Sequence, residues 1–252
     1  MTHASAEQAP SVPGQREAAE GRDVSFWRSH TQISLQPVAA PSILGLYGLA
    51  GATFMVAANL AGWYGGPATP LVLFPFAFFF GGLAQFLAGM WSFRARDGLA
   101  TAVHGMWGAF WLAFGLYSVI TLWSPVLFTA PGALVGAGYW FIVLAAVTWM
   151  CALAAVPENL ALSATLVVLA VAATILAIGW TAGIGAAVPI AGNLFVAAAV
   201  LAFYTASAML LQGTLGRVVL PIGGRGRANR PGMIPSQPIQ YELGEPGVKV
   251  GQ

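Results

Sequence analysis

The polar side chains inside long apolar stretches are the residues of this sequence best suited to chemistry, and Gln85 is the first of them. In a helix, Gly82, Gln85 and Gly89 lie at i, i+3 and i+7, so they share a face that is small except for one amide. An unpaired amide in hydrocarbon costs several kcal/mol, so Gln85 must face another polar group or water. Two roles are open for it: lining a path for a solute, or joining two helices by a hydrogen bond.

His104 is the second candidate, because an imidazole inside a membrane can bind and release protons. In a helix it shares a face with Gly108, Trp111 and Gly115, and Trp107 lies one turn from Trp111. A proton relay and a hydrogen-bonded packing residue are both open for His104.

Motifs for enzymatic chemistry are absent from the sequence. It has no spaced Cys/His set for a metal, no glycine loop for phosphate, no HExxH helix and no Ser/His/Asp set. The single cysteine, Cys151, lies in an apolar run and is expected to be a buried thiol. We therefore expect neither an enzyme nor a bound metal or cofactor.

The charged residues are few and lie mostly outside the apolar stretches. Of the 252 residues, 58% are hydrophobic and 7% charged, whereas a soluble domain has about 25% charged residues. Between Ala40 and Leu215 the charged residues are Arg94, Arg96, Asp97 and Glu158. Glu158 is expected to cap the helix that follows it, where the helix dipole favours an acid. The net charge of +2 forms no basic stripe, so no nucleic-acid partner is expected.

Six apolar segments of about 20 residues or slightly more are long enough to cross a hydrocarbon core of roughly 30 Å. They are predicted at residues 42–63, 70–93, 99–123, 133–156, 159–180 and 188–211. The sequence therefore predicts an all-α membrane protein with six transmembrane helices in one bundle. This domain is expected over residues 39–223, between disordered tails at 1–38 and 224–252.

The distribution of arginine predicts the orientation in the bilayer. Arg94 and Arg96 lie between the second and third segments, and further arginines follow the sixth segment, beginning with Arg217. Positively charged loops remain in the cytoplasm, so this loop and both termini are expected on the cytoplasmic side of the cell membrane. An even number of spans agrees with that arrangement.

Three stretches resemble the acetate uptake transporter family, also called the succinate-acetate permeases. Residues 40–46, Ala-Pro-Ser-Ile-Leu-Gly-Leu, resemble the family signature Asn-Pro-Ala-Pro-Leu-Gly-Leu. Residues 80–85, Phe-Gly-Gly-Leu-Ala-Gln, resemble its second-helix motif, and residues 216–223 resemble its C-terminal end. The likeness covers about residues 41–223. The sequence departs from the family at Ala40 and Ile43 in the signature, and at Ser92 and His104.

The resemblance implies a six-helix protomer, a hexameric ring of protomers and a pore for small monocarboxylates through each one. Acetate is the implied substrate, with succinate in some members. By position, Leu49 matches an aromatic residue of the family's narrow point, and Phe80 and Trp107 stand where tyrosines are common. Pro41 at the first helical turn leaves backbone N–H groups free to hold a carboxylate. The predicted pathway residues are Pro41, Leu44, Gly45, Leu49, Phe80, Gln85, His104 and Trp107.

The function hypothesis is therefore a membrane transporter or channel for small monocarboxylates, with acetate as the expected substrate. Acetate is mostly anionic at pH 7, since carboxyl groups of this kind titrate near about 4.3. It is expected to pass together with a proton or through a hydrated channel. Two alternatives remain open from the sequence: a channel for another small solute such as ammonia, and a membrane sensor or scaffold that transports nothing.

Overall fold

The computed structural model describes residues 38–124 and 132–224, in which six helices are long and apolar enough to cross a membrane. They are α1 (Pro41–Leu60), α2 (Thr69–Arg94), α3 (Gly98–Trp123), α4 (Ala133–Ala155), α5 (Leu160–Thr181) and α6 (Ala187–Leu215). The all-α fold with six spans is thereby confirmed. Apart from Val38 and Gly224, the predicted tails at 1–38 and 224–252 lie outside the described residues.

The bundle has two ends that differ in charge. The α2–α3 loop and the α4–α5 turn lie at one end, here called the Arg94 end, where α1 also begins. The α1–α2 loop, which contains Tyr64, lies at the opposite end, here called the Tyr64 end. The negative charge of Asp97 in the α2–α3 loop interacts with the carboxyl of Glu158 in the α4–α5 turn, as expected if both loops lie at the same end.

Side-chain caps begin two of the helices at the Arg94 end. The backbone N–H of Ala100 donates to the Asp97 carboxylate at 2.8 Å, and that of Leu162 donates to Asn159 Oδ1 at 2.8 Å. The prediction that Glu158 caps α5 is therefore wrong. Asn159 is the residue with an extended backbone immediately before the helix, and that conformation lets its side chain reach the third helical N–H.

Glu158 is instead a partly buried acid. Burial raises the pKa of its carboxyl, and the negative charge of Asp97 raises that pKa further. The folded protein therefore binds the Glu158 proton more tightly than the unfolded chain does. It follows that the ionised form destabilises the fold at a pH above both pKa values, and that this penalty disappears as the pH falls through the folded-state pKa.

We expect Glu158→Gln to raise the thermal unfolding midpoint near neutral pH and to leave it unchanged at about pH 4, where the native carboxyl is protonated. The reason is that glutamine fills the same space without a charge. Thermal melts of both proteins in one detergent, followed by tryptophan fluorescence across this pH range, measure the difference. An equal midpoint at every pH would contradict the assignment of Glu158 as a destabilising buried acid.

Helix α2 is not α-helical throughout. Residues Phe76–Ala84 form a π-helical segment between the α-helical turns Thr69–Pro75 and Gln85–Arg94. The segment begins directly after Pro75, which has no N–H to donate and whose ring crowds the carbonyl one turn earlier. The wider π turns change the direction of the side chains that follow.

The small face of α2 is buried, as its spacing predicts. Gly82, Gln85 and Gly89 are all buried, whereas Phe79 and Leu83 are exposed on the opposite side. This face packs on α3 with the backbones in close contact. A Cβ added to Gly89 would lie 2.6 Å from the N of Gly105, and one added to Gly108 would lie 2.6 Å from the N of Phe86. Only glycine permits this approach of two helices.

The segment that follows α6 packs on the first turn of α5. The backbone N–H of Leu160 donates to the carbonyl of Gly223 at 3.2 Å, and that of Ala161 donates to the carbonyl of Ile222 at 3.1 Å. The Tyr204 hydroxyl of α6 donates to the carbonyl of Pro221 at 2.8 Å. These bonds satisfy N–H groups that a helix terminus otherwise leaves free, so the packed part of the chain extends beyond the sixth helix.

Candidate functional site

A cavity of about 350 Å³ opens into the bundle from the Tyr64 end. Its mouth is formed by residues at the α1–α2 loop, including Asn59 and Gly66, and its deepest lining residues are Thr53 on α1 and Trp107 on α3. This volume lies in the range of small-ligand sites. Residues of all six helices line the cavity. Besides Trp107, its aromatic side chains come from four of them: Phe110, Trp111 and Phe114 of α3, Phe141 of α4, Trp180 of α5 and Phe195 of α6.

Trp107 forms a fixed floor for the cavity. Its indole Nε1–H donates to Thr148 Oγ1 on α4 at 3.1 Å, and the Thr148 hydroxyl contacts the carbonyl of Leu144 at 2.6 Å. The ring also packs edge-on against Phe110 and Phe195, with centroids 5.3 and 6.4 Å away. These contacts from three helices hold the side chain in one position.

Leu49 lies in the interior of the bundle beyond the cavity. It lies one turn from Thr53 along α1, towards the Arg94 end, and only 1% of its surface is exposed. The cavity lining on α1 ends at Thr53, so Leu49 lies one turn beyond it, at about the depth of Gln85, whose Cβ is 3.5 Å from a Cβ added to Gly48.

Four side chains in the described residues hold buried polar atoms that have no hydrogen-bond partner in the protein. These atoms are Thr53 Oγ1, both amide atoms of Gln85, His104 Nδ1 and Trp111 Nε1. All four side chains belong to α1, α2 or α3. A buried polar atom without a partner costs about 1–3 kcal/mol, so a set of them in one region is the mark of a place where water or a solute supplies the missing bonds.

Gln85 and His104 lie deeper than the cavity, between the same three helices. A Cβ added to Gly45 of α1 would collide with the His104 ring, and one added to Gly48 would lie 3.5 Å from the Cβ of Gln85. A Cβ added to Gly89 of α2 would lie 3.1 Å from the carbonyl carbon of His104. The two polar side chains are therefore about one helical turn apart in depth, each seated against glycine.

The structure brings together five of the eight residues predicted for the path: Gly45, Leu49, Gln85, His104 and Trp107. It does not bring the other three to the interior. Leu44 is 49% exposed, because it lies about 100° around α1 from Gly45. Phe80 is 48% exposed and its ring lies over Gly51 on the outside of the bundle. Pro41 begins α1 and is partly exposed.

Thr53 and Trp111 are the residues that sequence reasoning missed. A signal for Trp111 was present, because it shares a helical face with His104 and Gly108. No local pattern marks Thr53, Phe141 or Phe195, which are remote in the chain and meet only in the folded bundle. Among residues 38–124 and 132–224, no group of three or more His, Cys, Asp or Glu side chains forms a metal site.

The indole N–H of Trp111 has no partner, whereas that of Trp107 is bonded to Thr148, so replacing each by phenylalanine should have different effects. We expect Trp111→Phe to lower solute flux about tenfold, because phenylalanine keeps the ring in the cavity wall and removes the unpartnered donor, a loss worth about 1–1.5 kcal/mol. Stability should hardly change. Trp107→Phe should do the reverse and lower stability, since it breaks the bond to Thr148. Flux into proteoliposomes and thermal melts of both variants provide the comparison, and equal losses of flux would refute the distinction.

The fold and this site define a membrane protein with six spanning helices and a solute-sized cavity among them. Residues 25–222 match the model of the GPR1/FUN34/yaaH family, and the chain belongs to that family. The resemblance found in its motifs is thereby confirmed. A solved structure described as the bacterial acetate channel SatP is similar to the chain, with a TM-score of 0.67 and 25% identity, over 74% of this chain and 99% of that one. No curated protein sequence is significantly similar to the chain.

Proposed function

We propose that the protein is an acetate channel or transporter in which the solute passes between α1, α2 and α3 of each protomer. One observation carries this proposal: the unpartnered buried polar atoms of Thr53, Gln85, His104 and Trp111 are confined to these three helices. They succeed one another in depth, from the cavity at the Tyr64 end towards the Arg94 end. Membership of the family and the fold shared with a bacterial acetate channel support the choice of solute.

The cavity suits a short carboxylate. Thr53 and Trp111 line the cavity, and their Oγ1 and Nε1 atoms are themselves covered in the structure. The indole is a donor only and the hydroxyl can donate as well, so a movement that uncovers them would let both replace water on a carboxylate oxygen. The aromatic walls offer an apolar surface to the methyl group. No Asp, Glu, Lys or Arg lies within the six helices except Arg94 at the end of α2, so an anion meets dipoles and is not trapped by a fixed cation.

Leu49 is the proposed barrier between the cavity and the deeper polar groups. It is apolar and buried, so an ion reaching it would lose its hydration without compensation. Movement of this side chain, or of α1 at its glycines, would connect the two parts of the path. The family's narrow point is expected at the same position.

The distribution of charge suggests the orientation in the membrane, and the family suggests the oligomeric state. We propose that the Arg94 end faces the cytoplasm, with both termini on that side of the cell membrane, because Arg94, Arg96 and Arg217 lie there. We also propose a homohexameric ring. The exposed aromatic side chains of α2, among them Phe79 and Phe80, provide an apolar surface for lipid or for a neighbouring protomer.

Uptake of labelled acetate by proteoliposomes tests the proposal. Wild-type protein should give saturable uptake that other short carboxylates inhibit and ammonium does not, because the lining offers N–H and O–H donors to an anion. Liposomes without protein, prepared in the same way, are the control. Uptake equal to that of the empty liposomes would overturn the proposed function, and inhibition by ammonium alone would favour a channel for an amine.

A further inference from the structure

Gln85 and His104 form a pair of polar side chains that the cavity does not reach. Both are almost completely buried, with 0% and 2% of their surfaces exposed. Neither amide atom of Gln85 has a hydrogen-bond partner in the protein, and neither does the Nδ1 of His104. The two residues lie between α1, α2 and α3, where the absence of a side chain at Gly45 leaves room for the His104 ring and Gly48 lies against the Cβ of Gln85. This pair is here called the inner station.

The inner station has the functional groups that bind a carboxyl group. The Gln85 amide has two N–H donors and one acceptor oxygen, and Nδ1 of an imidazole is an acceptor when bare and a donor when protonated. A carboxylate that accepts one bond from Gln85 and one from a protonated Nδ1 would give a partner to the amide nitrogen and to the ring nitrogen, and would leave Gln85 Oε1 for a water or a donor. A neutral solute without an oxygen acceptor would leave the amide N–H groups unpaired.

Among residues 38–124 and 132–224, no fixed negative charge that would hold a proton on the ring faces His104. Helix α3 packs against α1, α2 and α4. The titratable residue of α1 is Tyr47, whose hydroxyl is bonded to Ser207 at 2.9 Å, and α4 contributes Cys151, three residues beyond Thr148. Arg94 ends α2, and Asp97 precedes α3, where its carboxylate accepts the N–H of Ala100.

An imidazolium in such a place lacks a counter-charge, and so does a carboxylate. Each buried ion alone suffers a large desolvation penalty, whereas the hydrogen-bonded pair offsets much of it. The binding of a proton to His104 and the binding of a carboxylate beside it therefore favour one another, and this coupling is reciprocal.

We propose that His104 makes carboxylate binding at the inner station dependent on a proton, so that the site takes up one proton with each carboxylate. The inference rests on the proposed function, because it requires that a carboxylate reaches this depth. If the solute arrives as the neutral acid, its O–H bond breaks as an N–H bond forms at Nδ1, which leaves an imidazolium beside a carboxylate. If it arrives as the anion, the proton comes from the solvent, and the product is the same neutral complex.

Calorimetric titration of the full-length protein with acetate, in two buffers that differ in ionisation enthalpy, measures the protons taken up on binding. Near neutral pH we expect about one proton per acetate for the wild type. His104→Gln, which keeps a side chain that forms hydrogen bonds but does not titrate, should bind acetate about tenfold more weakly and take up almost no proton. Proton uptake by His104→Gln equal to that of the wild type would overturn the proposal, because the proton would then be carried by the solute.

A measurement that keeps His104 in place covers the case in which the variant does not fold. The chain has three histidines, His3, His30 and His104, so replacing the first two by glutamine leaves one imidazole to observe. The nitrogen NMR signals of that ring should shift to the protonated form on addition of acetate at constant pH. Unchanged signals at saturating acetate would overturn the proposal. An absence of both acetate binding and acetate uptake would instead reject the proposed function itself.

Discussion

Replacing Gln85 by leucine should lower acetate uptake by about 10- to 100-fold and leave the protein at least as stable as the wild type. The loss of flux follows from the loss of hydrogen bonds to an ionised solute, which are worth about 1.5–3 kcal/mol each. The stability result has a different origin. Both amide atoms of Gln85 are buried without a partner in the protein, so an apolar side chain of similar size removes a penalty from the folded state.

The combination of lower flux and undiminished stability separates the two roles that the sequence leaves open for Gln85. If the amide joined two helices by a hydrogen bond, Gln85→Leu would destabilise the bundle. Thr205→Val is the matched control: Thr205 is also fully buried, but its hydroxyl donates to the carbonyl of Leu201 within α6, away from the path. That variant should keep normal uptake. Normal uptake by Gln85→Leu in correctly folded protein would remove Gln85 from the path.

Gly108→Ala should lower the free energy of unfolding by about 1–3 kcal/mol, whereas Gly105→Ala, three residues earlier on the same helix, should leave it unchanged or higher. A Cβ at Gly108 would lie 2.6 Å from the N and 2.7 Å from the Cα of Phe86, so the backbones of α2 and α3 must separate. A Cβ at Gly105 meets no atom within 4 Å. Alanine there also gains helix propensity, by up to about 1 kcal/mol.

Thermal melts of the two alanine variants in the same detergent measure this difference. For a chain of this size about 1 kcal/mol shifts the midpoint by roughly 2–4 °C, so the variants should be separated by several degrees. Acetate flux should also fall in Gly108→Ala, because the new Cβ displaces Phe86, which is next to Gln85 on α2. Equal midpoints for the two variants would contradict the close contact between α2 and α3.

The parts of the fold that could be predicted from the sequence are those set by local hydropathy. Six uncharged stretches of membrane length predict the six helices, and their ends differ from the observed ones by a few residues. The buried face of α2 was also predictable, because the spacing of Gly82, Gln85 and Gly89 is that of a helix. These features depend on neighbours in the chain, where short-range pattern and secondary structure are directly linked.

The features that sequence reasoning missed depend on geometry beyond one helix. Phe80 was included in the path because of its position in the family motif, and a match in position does not show which way a side chain turns. The π segment after Pro75 was not predicted either, because an α-helical wheel assumes about 3.6 residues per turn throughout. The residue that caps α5 is Asn159, one position after the predicted Glu158, and a sequence pattern does not resolve a helix end to one residue. The cavity is built by side chains as distant in the chain as Thr53 and Phe195, and its existence follows from tertiary packing alone.

The most direct test of the path between α1, α2 and α3 is to block it with a thiol reagent. Cys151 is the single cysteine of the sequence and is buried, so a Cys151→Ala background changes little and removes the native thiol. Thr53→Cys then places a thiol in the cavity wall. Gly185→Cys, in the exposed α5–α6 loop with open space around it, is the control outside the cavity.

Acetate uptake should be measured in proteoliposomes before and after a bulky, water-soluble reagent has modified each thiol, with the extent of modification determined by mass. The account predicts that modification of Thr53→Cys abolishes uptake and that modification of Gly185→Cys leaves it unchanged. Full modification of Thr53→Cys with undiminished uptake would show that acetate does not pass through this cavity, and would contradict the proposed path.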